Sequence, residues 1–325
     1  MATENPLLPV PALLGTAAIG TSSAIYPAEE LLNAVNPLRH LMDSLGSTSS
    51  SELHGTRSDQ TATTIGDEES TENLPNSRKS KSELITLLPD QHFSESDGIL
   101  SLAFSLTSGP SFNSSAKSTK SQVSVKLVVD SAPGCGGIAW PAGQILSSYL
   151  TQTYRTVTPL AGKSIVELGS GTGLVGLIAG KLDSSCKVFI TDQAPLLDIM
   201  TKNVRLNSLE GNIEVAELNW GEPIPTNLPS KPDIILAADC VYFEPAFPLL
   251  VQTLADLSDT STHILFCYKK RRKADKRFFS LLKKKFSWEE VDDPNRRIYN
   301  REAITLLKLQ KIPERDRAQG KKRQV

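Results

Sequence analysis

From Gly134 onward, short apolar runs of strand length alternate with longer stretches whose apolar residues recur at helical spacing. The runs 164–168, 187–191, 213–217, 233–238 and 263–268 predict strands. The stretches 174–181, 195–207, 247–257 and 273–286 predict the helices between them, after a first helix at 144–149. Repeated strand–helix units imply a mostly parallel sheet with helices on both faces, because parallel neighbours need crossovers that pack back onto the sheet. Two last runs, 288–291 and 303–309, suit a final antiparallel pair.

Ahead of this region the pattern is weaker. Residues 100–106 and 123–129 alternate apolar and polar side chains or nearly so, which predicts an antiparallel hairpin with the Ser-rich run 108–121 as its loop. Residues 31–45 predict a short helix limited by Pro37. From about Ser44 to Ser82 the chain is rich in Ser, Thr, Asp, Glu and Asn, with almost no aromatics. Such a segment buries too little apolar surface to offset its ordering entropy and is expected to be disordered. The expected organisation is an N-terminal extension (1–83), a strand or hairpin region (84–133), a core (134–311) and a basic tail (312–325).

Composition narrows the class. The 325 residues are 39% hydrophobic, enough for a sizeable core, and the formal net charge is −1, so no global field draws in nucleic acid or membrane. The four cysteines (Cys135, Cys186, Cys240, Cys267) form no C-x-x-C pair, and the four histidines are dispersed. Neither a disulfide framework nor a metal site is indicated, and a reduced, cytoplasmic setting is expected. No stretch reaches the ~20 apolar residues of a membrane span. The apolar N-terminus carries Pro6, Pro9 and Pro11 and no basic residue before Arg39, so a signal peptide is not expected.

Candidate chemistry begins at Glu167-Leu168-Gly169-Ser170-Gly171-Thr172-Gly173, where a strand enters a glycine-rich turn and then a helix. Glycines permit positive φ and close approach of backbone to a ligand. Gly171 to Gly176 also satisfies G-x-G-x-x-G, and Asp192 lies about 20 residues on, where a dinucleotide fingerprint wants its ribose acid. The glycines therefore leave NAD and S-adenosylmethionine (SAM) both open. Glu167 separates them. A carboxylate complements the sulfonium and ammonium of SAM, whereas it repels a pyrophosphate. Asp192, ending the next strand, can accept two ribose hydroxyls.

Three other segments add to the case. Cys135 to Gly143 precedes a helix, and Trp140 within it can cover one side of a cofactor pocket. Trp220, in the loop after the third strand, is placed to pack against a purine. Asp239 and Tyr242 end the fourth strand, and loops beyond the carboxyl ends of parallel strands carry the site in open α/β sheets. The Asn/Asp-Pro-Pro-aromatic signature of base or amide targets is absent there. An Asp with a nearby Tyr suits a lysine amine: the carboxylate attracts it and the Tyr orients it. Free lysine has a pKa of ~10.4, so its nucleophilic neutral form is scarce near pH 7 and must be favoured by the protein. Asp239 either accepts that proton or positions the amine.

Val166 to Gly176, Trp140-Pro141-Ala142, Asn219-Trp220-Gly221 and Asp239-Cys240-Val241-Tyr242 resemble the family 16 seven-strand protein-lysine methyltransferases, over roughly residues 123–311. Within that family, 134–143 and 266–276 look most like the fungal elongation factor methyltransferase 6 type. The resemblance implies a Rossmann-like seven-strand α/β sheet, mostly parallel with its last strand antiparallel. It implies SAM as cofactor, held by Trp140, Glu167, Gly169, Ser170, Gly171, Asp192, Trp220 and Ala238, with Asp239 and Tyr242 as the catalytic pair. It also implies a monomer acting on a lysine of translation elongation factor 1-alpha. The N-terminal extension departs from the compact family pattern.

The basic stretch from Lys269 to Arg277 has three readings: a face for an acidic protein substrate, a contact with RNA, or a solvated helix start. A cation-rich helix N-terminus opposes the macrodipole, which favours a partner. The expected activity is protein-lysine N-methylation. Its rivals are an RNA methyltransferase, a silent SAM-fold binding module, and an NAD dehydrogenase that lacks a second domain.

Overall fold

The computed structural model describes residues 84–313, apart from 85, 86, 95, 107–121, 131–134, 155–159, 272 and 274. The N-terminal extension with its helix at 31–45 and its Ser-rich insert, the Ser-rich run 108–121 and the tail from 314 lie outside the described residues.

Seven strands form the large sheet: β4 (Ser164–Leu168), β5 (Lys187–Asp192), β6 (Ile213–Glu217), β7 (Ile234–Ala238), β8 (His263–Lys269), β9 (Phe286–Glu290) and β10 (Ile304–Lys311). Their spatial order is β6-β5-β4-β7-β8-β10-β9. The pairs from β6 to β8 are parallel, and β10 runs antiparallel between β8 and the edge strand β9. The expected fold class is the observed one.

Residues that alternate along the strands feed two separate cores. Ile165, Val188, Ile190, Leu236 and Leu265 face one, with α1 (Pro141–Thr153), α2 (Leu174–Leu182) and α3 (Leu197–Leu206). Val166, Leu168, Ile235, Ala237 and Phe266 face the other, with α4 (Phe247–Leu257) and α5 (Asp275–Leu282). The first helix is longer than its pattern suggested, because Pro141 opens it at N1 with a φ already helical. The expected helix at 195–207 divides into a 3₁₀ turn, Ala194–Leu196, and α3. A short α6 (Arg296–Arg301) precedes β10.

The expected hairpin belongs to a separate three-stranded sheet of β1 (Asp90–Ser94), β2 (Ile99–Ser105) and β3 (Gln122–Val128), all antiparallel. The sequence Asp-Gln-His-Phe-Ser of β1 has no apolar alternation, which is why periodicity missed it. The free edge of β3 is closed by two asparagines of α3, four residues apart. Asn203 accepts from Val128 N–H (2.6 Å) and donates to Val128 C=O (3.2 Å), while Asn207 does the same to Lys126 (3.0 and 2.6 Å). The two backbone sites are two residues apart and so lie on one strand edge. Each side-chain amide stands in for a strand neighbour. Asn203, fully buried, also donates to Thr172 C=O (2.9 Å), which ties the glycine turn to this sheet.

Glu167 fastens α2 to β4. It is 2% exposed, and its Oε2 accepts Gly176 N–H (2.9 Å) in the first turn of α2, where the helix end favours negative charge. Burial pushes the carboxyl up to about 8, against the opposing hydrogen bonds from Gly176 and Ser170.

Two outcomes follow from these contacts. Asn203→Ala strands buried backbone groups on β3 and on the turn, so urea denaturation should show a loss of about 2–4 kcal/mol. The half-buried Asn207→Ala should cost about 1 kcal/mol or less; equal losses would refute the bridging role. For Glu167, the folded chain keeps a proton that the unfolded chain releases above ~4.3. Stability should therefore fall as pH rises between about 4.3 and about 8. Glu167→Gln should flatten that dependence, measured as urea midpoints at pH 5 and pH 8.

Candidate active site

The carboxyl ends of β4, β7 and β5 stand side by side, and the glycine turn after β4 rises between them. Gly169, Gly171 and Gly173 have φ of +59°, +56° and +82°. At Gly171 a Cβ would lie 2.4 Å from Gly136 O, on the 3₁₀ turn Cys135–Gly137, so this crossing of two backbones requires glycine. At Gly169 a Cβ would lie 2.9 Å from Trp220 Cζ2 and 3.1 Å from Cys240 Sγ. Trp220 thus closes over the turn from the loop after β6. Ser170 is buried and knits the turn to β5: its hydroxyl accepts Thr191 N–H (2.9 Å) and donates to Glu167 C=O (3.2 Å).

Asp192 ends β5 and spends one lone pair of each oxygen on backbone. Oδ2 accepts Gly171 N–H and Oδ1 accepts Gln193 N–H, both at 2.8 Å. Burial raises its pKa against those two bonds. The turn's N–H groups that would cradle a pyrophosphate are already taken: Gly171 by Asp192, Gly173 by Ser170 C=O (2.7 Å) and Gly176 by Glu167. No Lys or Arg lies between Glu167 and Gly180. An edge lined by acidic side chains, with these three N–H groups engaged, is poorly suited to a pyrophosphate and fits a cationic nucleoside such as SAM.

Asp239 follows β7 in a left-handed conformation (φ +59°), strained for a residue that is not glycine, with its side chain 5% exposed. Its partner was not anticipated. Arg271 grips it with two parallel bonds, Nη1 to Oδ1 at 2.7 Å and Nη2 to Oδ2 at 2.9 Å. Lys269 N–H adds a third to Oδ1 (3.1 Å). The other face of the guanidinium lies over Trp140, 5.4 Å from the ring centroid. The structure therefore joins Trp140 to Asp239 through Arg271. Ala238 is partly buried and lies towards Gly143 of α1, and Tyr242, 40% exposed, stands on the loop beyond.

The basic stretch is split by this arrangement. Arg271 turns inward, whereas Lys270, Lys273, Lys276 and Arg277 are exposed, with Arg277 paired to Glu244. The helix start carries Lys276 and Arg277 in its first turn, but behind an acidic first residue. α5 opens at Asp275, which is buried and accepts Arg271 N–H (2.9 Å), so the macrodipole meets a carboxylate. The expected opening at 273 missed this because a sequence pattern does not show which residue caps the turn. Among the described residues, no group of three or more His, Cys, Asp or Glu could hold a metal ion, and no helix is long and apolar enough to cross a membrane.

Comparison with known proteins agrees with this geometry. Residues 119–285 match the family model described as lysine methyltransferase. Protein-lysine N-methyltransferase EFM6 of Saccharomyces cerevisiae is 40% identical over 184 residues, 49% of this chain and 74% of the relative. Protein N-lysine methyltransferase METTL21A of Danio rerio is 38% identical over 182 residues, 55% of this chain and 81% of the relative. Its Mus musculus counterpart is 34% identical over 187 residues, covering 56% and 81%. With a carboxylate-lined edge that fits SAM and a family model that runs from β3 through α5, the chain belongs to the lysine methyltransferase family and is a SAM-dependent protein-lysine methyltransferase.

Proposed function

We propose that the chain methylates a lysine of translation elongation factor 1-alpha, as a cytoplasmic monomer. Support for this target comes from the resemblance of 134–143 and 266–276 to the fungal type that acts on that factor. The observation that carries the lysine chemistry is Asp239, a buried carboxylate held in strained backbone and gripped by Arg271, whose guanidinium lies over Trp140. Strain of this kind persists only where the surroundings over-determine it, and it concentrates at active sites.

In this reading Asp192 holds the ribose hydroxyls with its remaining lone pairs, and Trp220 covers the adenine. Gly169, Ser170 and Gly171 shape the floor, and Trp140 and Ala238 complete the wall. Glu167 acts from beneath by holding Gly176 N–H, which fixes the start of α2 under the turn. SAM, when bound, supplies an electrophilic methyl group. The chain's own task is to hold a neutral amine in line with it. Asp239 accepts an N–H of the incoming amine and Tyr242 orients it, while Trp140 shields the site from water.

Labelled-methyl transfer into a cytosolic lysate, followed by mass spectrometry, should place the label on a lysine of elongation factor 1-alpha. Label on another protein's lysine would overturn the target, and label in RNA would overturn the protein substrate. Asp239→Ala should lower turnover by about a hundredfold or more while calorimetry shows SAM affinity little changed. Unchanged turnover would remove Asp239 from the mechanism.

A further inference from the structure

The grip of Arg271 on Asp239 raises a chemical question. A lone carboxylate beside a lysine amine stabilises the ammonium, which has no lone pair with which to attack. Arg271 cannot lose its proton, and it lies on the same carboxylate with its side chain 19% exposed. An ionised carboxylate offers about four lone-pair sites. Lys269 N–H and Arg271 Nη1 take those of Oδ1, and Nη2 takes one on Oδ2, leaving Oδ2 a single acceptor position. Arg271 is itself held at guanidinium and backbone. Trp140 lies under it, Asp239 accepts from it, and Asp275 accepts its backbone N–H.

Resting on the reading that Asp239 receives the lysine, we propose that Arg271 is a positioning residue. It fixes the plane of Asp239 so that one oxygen accepts from the amine, and its charge favours the neutral amine over the ammonium. A like charge within ~4–6 Å disfavours the charged form. The proton leaves the ammonium for water, and Asp239, its oxygens already engaged by N–H donors, orients the amine without taking that proton.

The other groups facing this place do not supply the same effect. Glu167 from β4 keeps its proton up to about 8 and adds no positive charge, and Asp192 from β5 and Asp275 from α5 are acidic and pull the other way. The buried thiols of Cys240 and Cys267 are pushed well up, first by burial and then by Asp192 and Asp239 at Cys240 and by Asp239 at Cys267, and stay neutral. Tyr242 is a phenol, and Lys269 is a second cation that ends β8. All of these are unchanged when Arg271 alone is replaced, so setting a Gln variant against a Lys variant separates its charge from its fork.

The test is the pH dependence of labelled-methyl incorporation at saturating SAM into the principal labelled protein band of a cytosolic lysate. The wild type, Arg271→Gln and Arg271→Lys are compared. The rate rises with pH as the amine loses its proton. In Arg271→Gln that rise should move up by about one pH unit. Arg271→Lys, which keeps the charge but loses the fork, should keep the wild-type midpoint with a lower plateau. Calorimetry should show unchanged SAM affinity in all three, and melting curves should show that each is folded. A uniform loss at every pH in Arg271→Gln, with no shift of the midpoint, would overturn the proposal, as would a Lys variant that shifts like Gln. An unfolded Gln variant leaves the Lys variant to decide: a displaced midpoint there refutes the role of charge. Retained turnover in Asp239→Ala removes the reading on which this rests. No labelled lysine with the wild type removes both.

Discussion

Three carboxylates stand along one edge of the large sheet, at the ends of β4, β7 and β5, and each must be answered within the fold. Removing a charge from water costs several kcal/mol unless hydrogen bonds or an opposite charge replace the solvent. Glu167 is answered by Gly176 N–H at the start of α2 and by keeping its proton, Asp192 by the turn at Gly171 and by Gln193, and Asp239 by Arg271 and Lys269 N–H. These answers set the position of α2, the path of the glycine turn and the course of the loop after β8. The site exists because parallel strands bring these three ends together.

The same accounting separates two nucleotide chemistries that share a glycine pattern. In a dinucleotide site the turn's N–H groups point at phosphate. Here Gly171 N–H points at Asp192 and Gly173 N–H at Ser170 C=O, so a ligand at the strand ends meets acceptors of the chain itself. Whether glycines hold an anion or make room for a cation is decided by where their N–H groups go, not by their spacing.

Much of the fold was legible in the sequence because strand and helix periodicities are local. The βα alternation, the final antiparallel pair and the hairpin ahead of the sheet all appear in the order of apolar and polar positions. β1 was not legible, since its polar sequence is recruited by β2 through backbone pairing, which any side chain permits. The start of α5 was misplaced because Asp275 caps a turn whose other half comes from Arg271. Of the candidate site, Trp140, Asp192, Trp220 and Asp239 were singled out from residue type and place at strand ends.

The sequence by itself determined the class of sheet, the glycine turn and the acidic ends of its strands, because these depend on neighbours a few residues apart. Tertiary structure decided how the charges are spent. Arg271 looked like one member of a basic run, yet it alone among the described members of the run turns inward to Asp239 and Trp140, 32 residues away at the carboxylate. Asn203 and Asn207 looked like ordinary helix residues, yet they complete a strand edge about 75 and 81 positions earlier. A long-range hydrogen bond depends on register and on the packing of whole elements, which composition and spacing do not contain.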